Sequence, residues 1–301
     1  KEFRDSLSKL IADTTKGKPL VFIVDELDRC RPNYAVLILE QIKHFFSVPN
    51  IVFVLSIDKE QLGNAICGVY GSEKIDSDEY LKRFIDIEYS LPDVKDGTYY
   101  KFLYEQFHFE DFFKLRSENR ALQGDKSSFL RLCDTLFGNG QITLRQQEKI
   151  FANARLTLKA FRENQFMLPS LFIYLNYLKL IKPDFFKSIS SKSYNLEELQ
   201  KNFLEDIKSK INDDNINDII WLEAFLLNSY NNSTTENYGR NKLFIYDNGE
   251  YKLLVKSVID KSQDGTYFLD VLQNMQRYER GIDVKIDHLL NKINLIEGFA
   301  T

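Results

Sequence analysis

Two short apolar runs, Leu20-Val21-Phe22-Ile23-Val24 and Ile51-Val52-Phe53-Val54-Leu55, limit what this chain can fold into more than anything else in it. Both are rich in β-branched and aromatic residues, and each is bounded by turn-forming or polar residues, so each reads as a strand. Neither alternates with polar residues, as a strand with one wet face does. Being apolar on both faces, they suit a parallel sheet covered on both sides. The stretch between them, Tyr34 to Phe46, has helical periodicity through Val36, Leu37, Leu39, Ile42, Phe45 and Phe46. Parallel neighbours need such a crossover, so strand, helix and strand form one unit.

An amphipathic helix precedes this unit, with Phe3, Leu7, Leu10 and Ile11 on one face, and Gly17 and Pro19 break it. Helices about Glu60–Ile66 and Glu79–Phe84 come next, then Ile85–Tyr89 as a third short strand. After Pro92 the pattern changes. Helical periodicity dominates over 98–113, 129–137, 144–161, 170–181, 196–211 and 216–227, with a polar loop at 116–127. Leu243 to Val255 alternates around Asp247-Asn248-Gly249-Glu250, a strong hairpin signal. Helices at 267–280 and 285–296 close the chain. The expected fold is α/β, a partial doubly wound parallel sheet followed by a mostly α-helical region with one β-hairpin.

Composition removes several function classes. The 40 basic and 44 acidic residues leave a net charge of −4, with no overall attraction to nucleic acid. No run approaches the ~18 apolar residues of a membrane-spanning helix. The opening KEFRDSLSKL lacks the apolar centre of a signal peptide. Cys30, Cys67 and Cys133 are scattered without metal-ligand spacing, which points to a reducing, cytoplasmic setting without a disulfide framework. His44, His108 and His288 lie far apart and read as core-edge or surface residues, not zinc ligands. A chain that opens on Lys1 reads as a piece of something longer.

The first strand runs into Asp25-Glu26-Leu27-Asp28-Arg29-Cys30-Arg31. An apolar strand ending in adjacent carboxylates is how P-loop NTPases present the Walker B element, at the carboxyl edge where open α/β sheets take their ligands. Taken alone, the same dipeptide suits a solvated strand end or a helix N-cap equally well. The longer string, with Arg31-Pro32, a helix, and a second strand ending in Ser56-Ile57-Asp58, resembles the KAP family of P-loop NTPases. The resemblance runs over roughly residues 18 to 160. Glu26 stands where the family usually has a second Asp and keeps the carboxylate.

The resemblance implies Mg²⁺ and ATP as ligands. Asp25 takes the Mg²⁺ role and Glu26 activates the attacking water. Asp28 and Arg29 belong to the same signature and read as an ion pair that stiffens the loop; Cys30 reads as a small, mostly buried thiol. Asp58 falls where relatives place a polar sensor of the γ-phosphate, and it equally suits an N-cap. Arg83, before the third strand, resembles an arginine finger reaching a neighbour's nucleotide in a homo-oligomer; its alternative is a surface pair with Asp78 or Asp86. Arg145 resembles a lid arginine that reads phosphate. Thr143 is a fair N-cap for that helix, but Glu148 is not placed for a capping box. The implied organisation is the carboxyl-terminal half of an NTPase core at 1–97, a helical lid-like region at 98–165, and a helical domain at 166–301 with the hairpin at 243–255.

A Gly-x-x-x-x-Gly-Lys-[Ser/Thr] loop is absent from the sequence, so half of a phosphate site is missing. The expectation is that it lies upstream, where relatives can also carry a membrane-spanning insertion. The leading reading is the carboxyl-terminal portion of a KAP-like ATPase, a switch or assembly motor in bacterial anti-phage or anti-plasmid defence, with an effector protein as a candidate partner. One alternative is a non-catalytic interaction module on the same fold. Another is a winged-helix-like nucleic-acid-binding module with 243–255 as the wing, although acid at the hairpin tip opposes phosphate contact.

Overall fold

The computed structural model describes residues 2–16, 18–46, 48–71, 75–91, 97–138, 140–162, 164–234, 243–262, 265–277 and 283–295. The chain divides into two compact units, Lys1–Pro92 and Asp93–Thr301.

The first unit contains α1 (Glu2–Thr15), β1 (Leu20–Asp25), α2 (Pro32–Lys43), β2 (Ile51–Ser56), α3 (Lys59–Tyr70) and α4 (Ser77–Leu81). The side chains of Phe3, Leu7 and Leu10, expected on the apolar face of α1, lie outside the described residues, as does Gly17. Ile11 is buried. β1 and β2 pair in parallel and in register, from Leu20 opposite Ile51 to Asp25 opposite Ser56. Pro32 opens α2 at a position where its missing N–H costs nothing. Val36 and Leu39 of α2 and Leu62 and Ile66 of α3 form a core with Leu27, Leu81 and Phe84, against which Val24 and Leu55 of the strands pack.

Residues at matching register point to the same side, so Val21, Ile23, Val52 and Val54 share the other face, and all four are exposed. The covering of both faces expected from the apolar runs is not found among the described residues. The third strand also fails to form: 85–91 has no strand pairing, and Ile87, Tyr89 and Leu91 are largely exposed. The alternating pattern is present, but these residues pair with neither strand of the two-stranded sheet, and alternation alone does not make a strand.

The second unit contains α5 (Tyr99–Gln106), α6 (Phe109–Ser117), α7 (Asp125–Phe137), α8 (Leu144–Leu158), α9 (Pro169–Ile181), α10 (Pro183–Ser191), α11 (Leu196–Ile207), α12 (Ile216–Thr234), β3 (Phe244–Asp247), β4 (Glu250–Leu253), α13 (Thr266–Arg277) and α14 (Ile286–Asn294). Every residue of α9 from Pro169 to Leu178 is buried, which makes it the central helix; α7, α8, α10 and α12 pack around it. One apolar core runs from Tyr100 through Ile293, so the helices of 98–165 and of 166–301 share it.

The single helix expected over 98–113 is two. His108 sits at φ 53, ψ 44 between them, and this left-handed turn lets Leu103 and Tyr104 of α5 and Phe109 and Phe113 of α6 all reach the core. The expected loop at 116–127 holds a 3-10 turn at Arg120–Leu122 and the start of α7. A break at Lys182-Pro183 makes α10 a separate helix that periodicity does not reveal. The hairpin forms as expected on Asn248 (φ 50) and Gly249 (φ 89), both in the left-handed region that its two-residue turn requires. The ends of the last two expected helices, at 278–280 and 296, lie outside the described residues.

Candidate functional site

The ladder ends with Asp25 beside Ser56, and the Glu26 N–H still donates to the Ser56 carbonyl at 3.1 Å. The same N–H donates to Asp25 Oδ1 at 2.9 Å. Glu26 then leaves the strand direction with φ 58 and ψ 27, turning the chain into a 3-10 turn, Leu27–Arg29, that buried Leu27 anchors. A left-handed Glu costs on the order of 1–3 kcal/mol and persists only where its surroundings hold it. Here the Glu26 carbonyl accepts from the Arg29 N–H at 3.1 Å and from the Cys30 thiol at 3.7 Å. Asp25 and Glu26 are exposed at the carboxyl edge of the sheet, and Glu26 Oε1 accepts a hydrogen bond from Arg29 Nη1.

The ion pair at this turn is therefore Glu26–Arg29. Asp28 makes none among the described residues. Arg29 is the residue whose relation to the carboxylates the sequence reading missed. Its spacing of three from Glu26, within one helical turn, is the signal that could have found it.

Two residues beyond Ser56, Asp58 opens α3 as its N-cap, with Oδ1 accepting from the Gln61 N–H at 3.1 Å. Lys59 then ties the start of α3 to two later carboxylates, with Nζ 2.7 Å from Glu88 Oε2 and 3.1 Å from Asp78 Oδ1. The bonds to Glu88 and Asp78 raise the Lys59 pKa. Arg83 pairs with neither Asp78 nor Asp86 and lies over the Tyr80 ring, 5.6 Å from its centre. Asp25, Glu26 and Asp58 thus belong to one strand edge, while Arg83 lies past α4 and is exposed.

Arg145 belongs to the second unit. It is exposed in the first turn of α8 and makes no ion pair among the described residues. The helix start carries a capping box after all. Gln146, not Glu148, completes it: the Thr143 N–H donates to Gln146 Oε1 at 3.0 Å, and the Gln146 N–H donates to Thr143 Oγ1 at 3.3 Å.

Among the described residues no group of three or more His, Cys, Asp and Glu side chains converges as a metal cage. Asp25 and Glu26 offer two successive exposed carboxylates at the strand end, so the donors available there are oxygens. That chemistry fits Mg²⁺, which keeps most of its waters and takes its remaining ligands from phosphate. His288 is half-buried on α14 at the edge of the Phe161 ring, and burial, then the Lys292 charge, lower its pKa.

A cleft of about 1320 Å³ lies in the second unit, lined in part by Lys101, Glu105, Arg131 and Asp134. Four of its charges are paired with one another, Lys126 with Glu110 at 2.7 Å and Arg131 with Asp218 at 2.8 Å, and the Tyr100 hydroxyl donates to Asp134 at 3.0 Å. Size alone does not make it the site, since it holds none of the strand-edge carboxylates.

No helix among the described residues is long and apolar enough to cross a membrane. A family model, that of the KAP family P-loop domain, matches residues 1–213. No curated protein and no solved structure gives a significant match to the chain.

Proposed function

From the premise that this chain belongs to the KAP family of P-loop NTPases, we propose that it supplies the Walker B half of an ATPase site. The observation that carries the reading is the paired carboxylate, Asp25-Glu26, exposed at the end of a parallel strand and braced against Ser56. Asp25 holds Mg²⁺ through water, and Glu26 accepts a proton from the water that attacks the γ-phosphoryl group. Mg²⁺, when bound, offsets the negative charge on the β- and γ-phosphate oxygens. Asp58 orients that water from the next strand end. Arg83 acts across a subunit boundary in a homo-oligomer, and Arg145 reads phosphate from the lid.

The remaining strands and the phosphate loop come from chain upstream of Lys1 in this proposal, completing a doubly wound sheet. The exposed apolar face of Val21, Ile23, Val52 and Val54 supports it, because a parallel sheet is stable when both faces are covered. Residues 1–97 form the NTPase half, while 98–165 and 166–301, built on one shared core, act together as lid and output, and hydrolysis drives a switch in bacterial defence.

Comparing ATP turnover by these 301 residues with turnover by a longer gene product that includes a phosphate loop tests the proposal. The longer protein is expected to hydrolyse Mg-ATP and the 301-residue chain is not. Equal inactivity would leave a non-catalytic interaction module as the better reading.

A further inference from the structure

Resting on the ATPase reading above, we propose that Arg29 is the positioning residue for Glu26, the side chain that aims the base. A proton-accepting carboxylate needs one oxygen directed at the water and a reason to stay directed, because a free Glu side chain samples many rotamers. Here Arg29 Nη1 donates to Glu26 Oε1 alone, and Oε2 has no protein donor among the described residues. One oxygen is held and the other is presented.

The backbone reinforces this division. Glu26 is fixed in the left-handed region, its N–H engaged by Ser56 and Asp25 and its carbonyl by Arg29 and Cys30. Arg29 thus contacts Glu26 twice, through its own N–H and through its guanidinium. The guanidinium is planar, and its fork limits the direction of the bond it makes, which an ammonium does not.

The pair is a poor candidate for a purely structural role. Both side chains are more than half exposed, at 55% and 56%, and pairs so exposed to solvent contribute little to stability. Leu27 on the same turn is the group that anchors it to the core. Removing the guanidinium should therefore leave the fold intact and release the carboxylate.

The experiment uses the full-length protein as wild type, Arg29→Met and Arg29→Lys. It reads kcat and KM for Mg-ATP, affinity for a non-hydrolysable ATP analogue, and the melting temperature. The expected result for Arg29→Met is a kcat lower by ~10²-fold, the lower range for losing a well-placed general base, with KM, analogue affinity and melting unchanged. Arg29→Lys recovers part of kcat. Unchanged or raised kcat in Arg29→Met beside an active wild type overturns the role of Arg29 and leaves the ATPase reading standing. So does a loss of kcat accompanied by equal losses in affinity or melting. A wild type without turnover overturns both.

Discussion

Asp25 and Ser56 are the last partners of the parallel ladder, so β1 and β2 end level with one another. That single rung decides which side chains meet. It puts the carboxylates that come after Val24 beside the segment that leads from Ser56 to Asp58, although some thirty residues separate them in sequence. A slip of one residue would send Asp25 to the opposite face of the sheet.

Asp58 has an observed role and a proposed one, and two substitutions separate them. Asparagine caps a helix about as well as aspartate, whereas alanine loses the cap at about 1 kcal/mol. Asp58→Asn is expected to keep the melting temperature of the full-length protein and to slow ATP turnover. Asp58→Ala is expected to lower both. Full turnover in Asp58→Asn, measured beside unchanged melting, would reduce Asp58 to a cap.

Arg116 is fully buried in the second unit, with Nε 2.9 Å from Asp125 Oδ2 and its guanidinium 5.2 Å from the centre of the Phe112 ring. Removing the carboxylate of such a buried pair takes away the interaction that offsets much of the cost of burying the guanidinium, a loss of about 3–5 kcal/mol. Asp125→Ala should therefore destabilise the helical unit by about that amount in urea unfolding, far more than Glu79→Ala, whose exposed partner is Lys82. Equal effects for the two variants would contradict the assignment.

His288 gives the helical unit an acid sensitivity of predictable sign. Its folded-state pKa lies below the ordinary 6.5, chiefly through burial and then through Lys292, while a bond to the Phe166 backbone opposes the shift. Below pH 6.5 the unfolded chain therefore binds the proton more readily, and stability falls as pH falls through that value. Above it the contribution is fully present. Melting temperatures between pH 7.5 and pH 5 are expected to drop less steeply for His288→Gln than for wild type. Parallel profiles would remove His288 from the account.

The strands, the crossover helix and the hairpin were legible because each rests on local pattern. Leu20–Val24 and Ile51–Leu55 are short β-branched runs, and Asn248-Gly249 meets the demand of its turn for left-handed residues. What failed depended on neighbours. Ile85–Tyr89 alternates as a strand does, but pairing needs a second chain segment that no local pattern supplies. The break at His108 was illegible because histidine carries no turn signal; packing of Phe109 and Phe113 selects it. In the candidate site, Asp25 and Glu26 were legible as strand-end carboxylates. Arg29 was not, since it read as the partner of its neighbour Asp28, and it is the left-handed turn at Glu26 that accompanies its pairing with Glu26 instead.

The central claim is that Glu26 serves the attacking water while Asp25 and its surroundings hold Mg-ATP. The most direct measurement sets Mg²⁺-dependent ATP turnover by the full-length wild type beside Glu26→Gln, with ATP affinity measured for both. Gln keeps the size of the side chain and removes its basicity. Turnover lower by ~10²-fold or more is expected in the variant, with ATP binding retained. Turnover by Glu26→Gln at the wild-type rate, in a protein that binds ATP equally well, would contradict that role of Glu26.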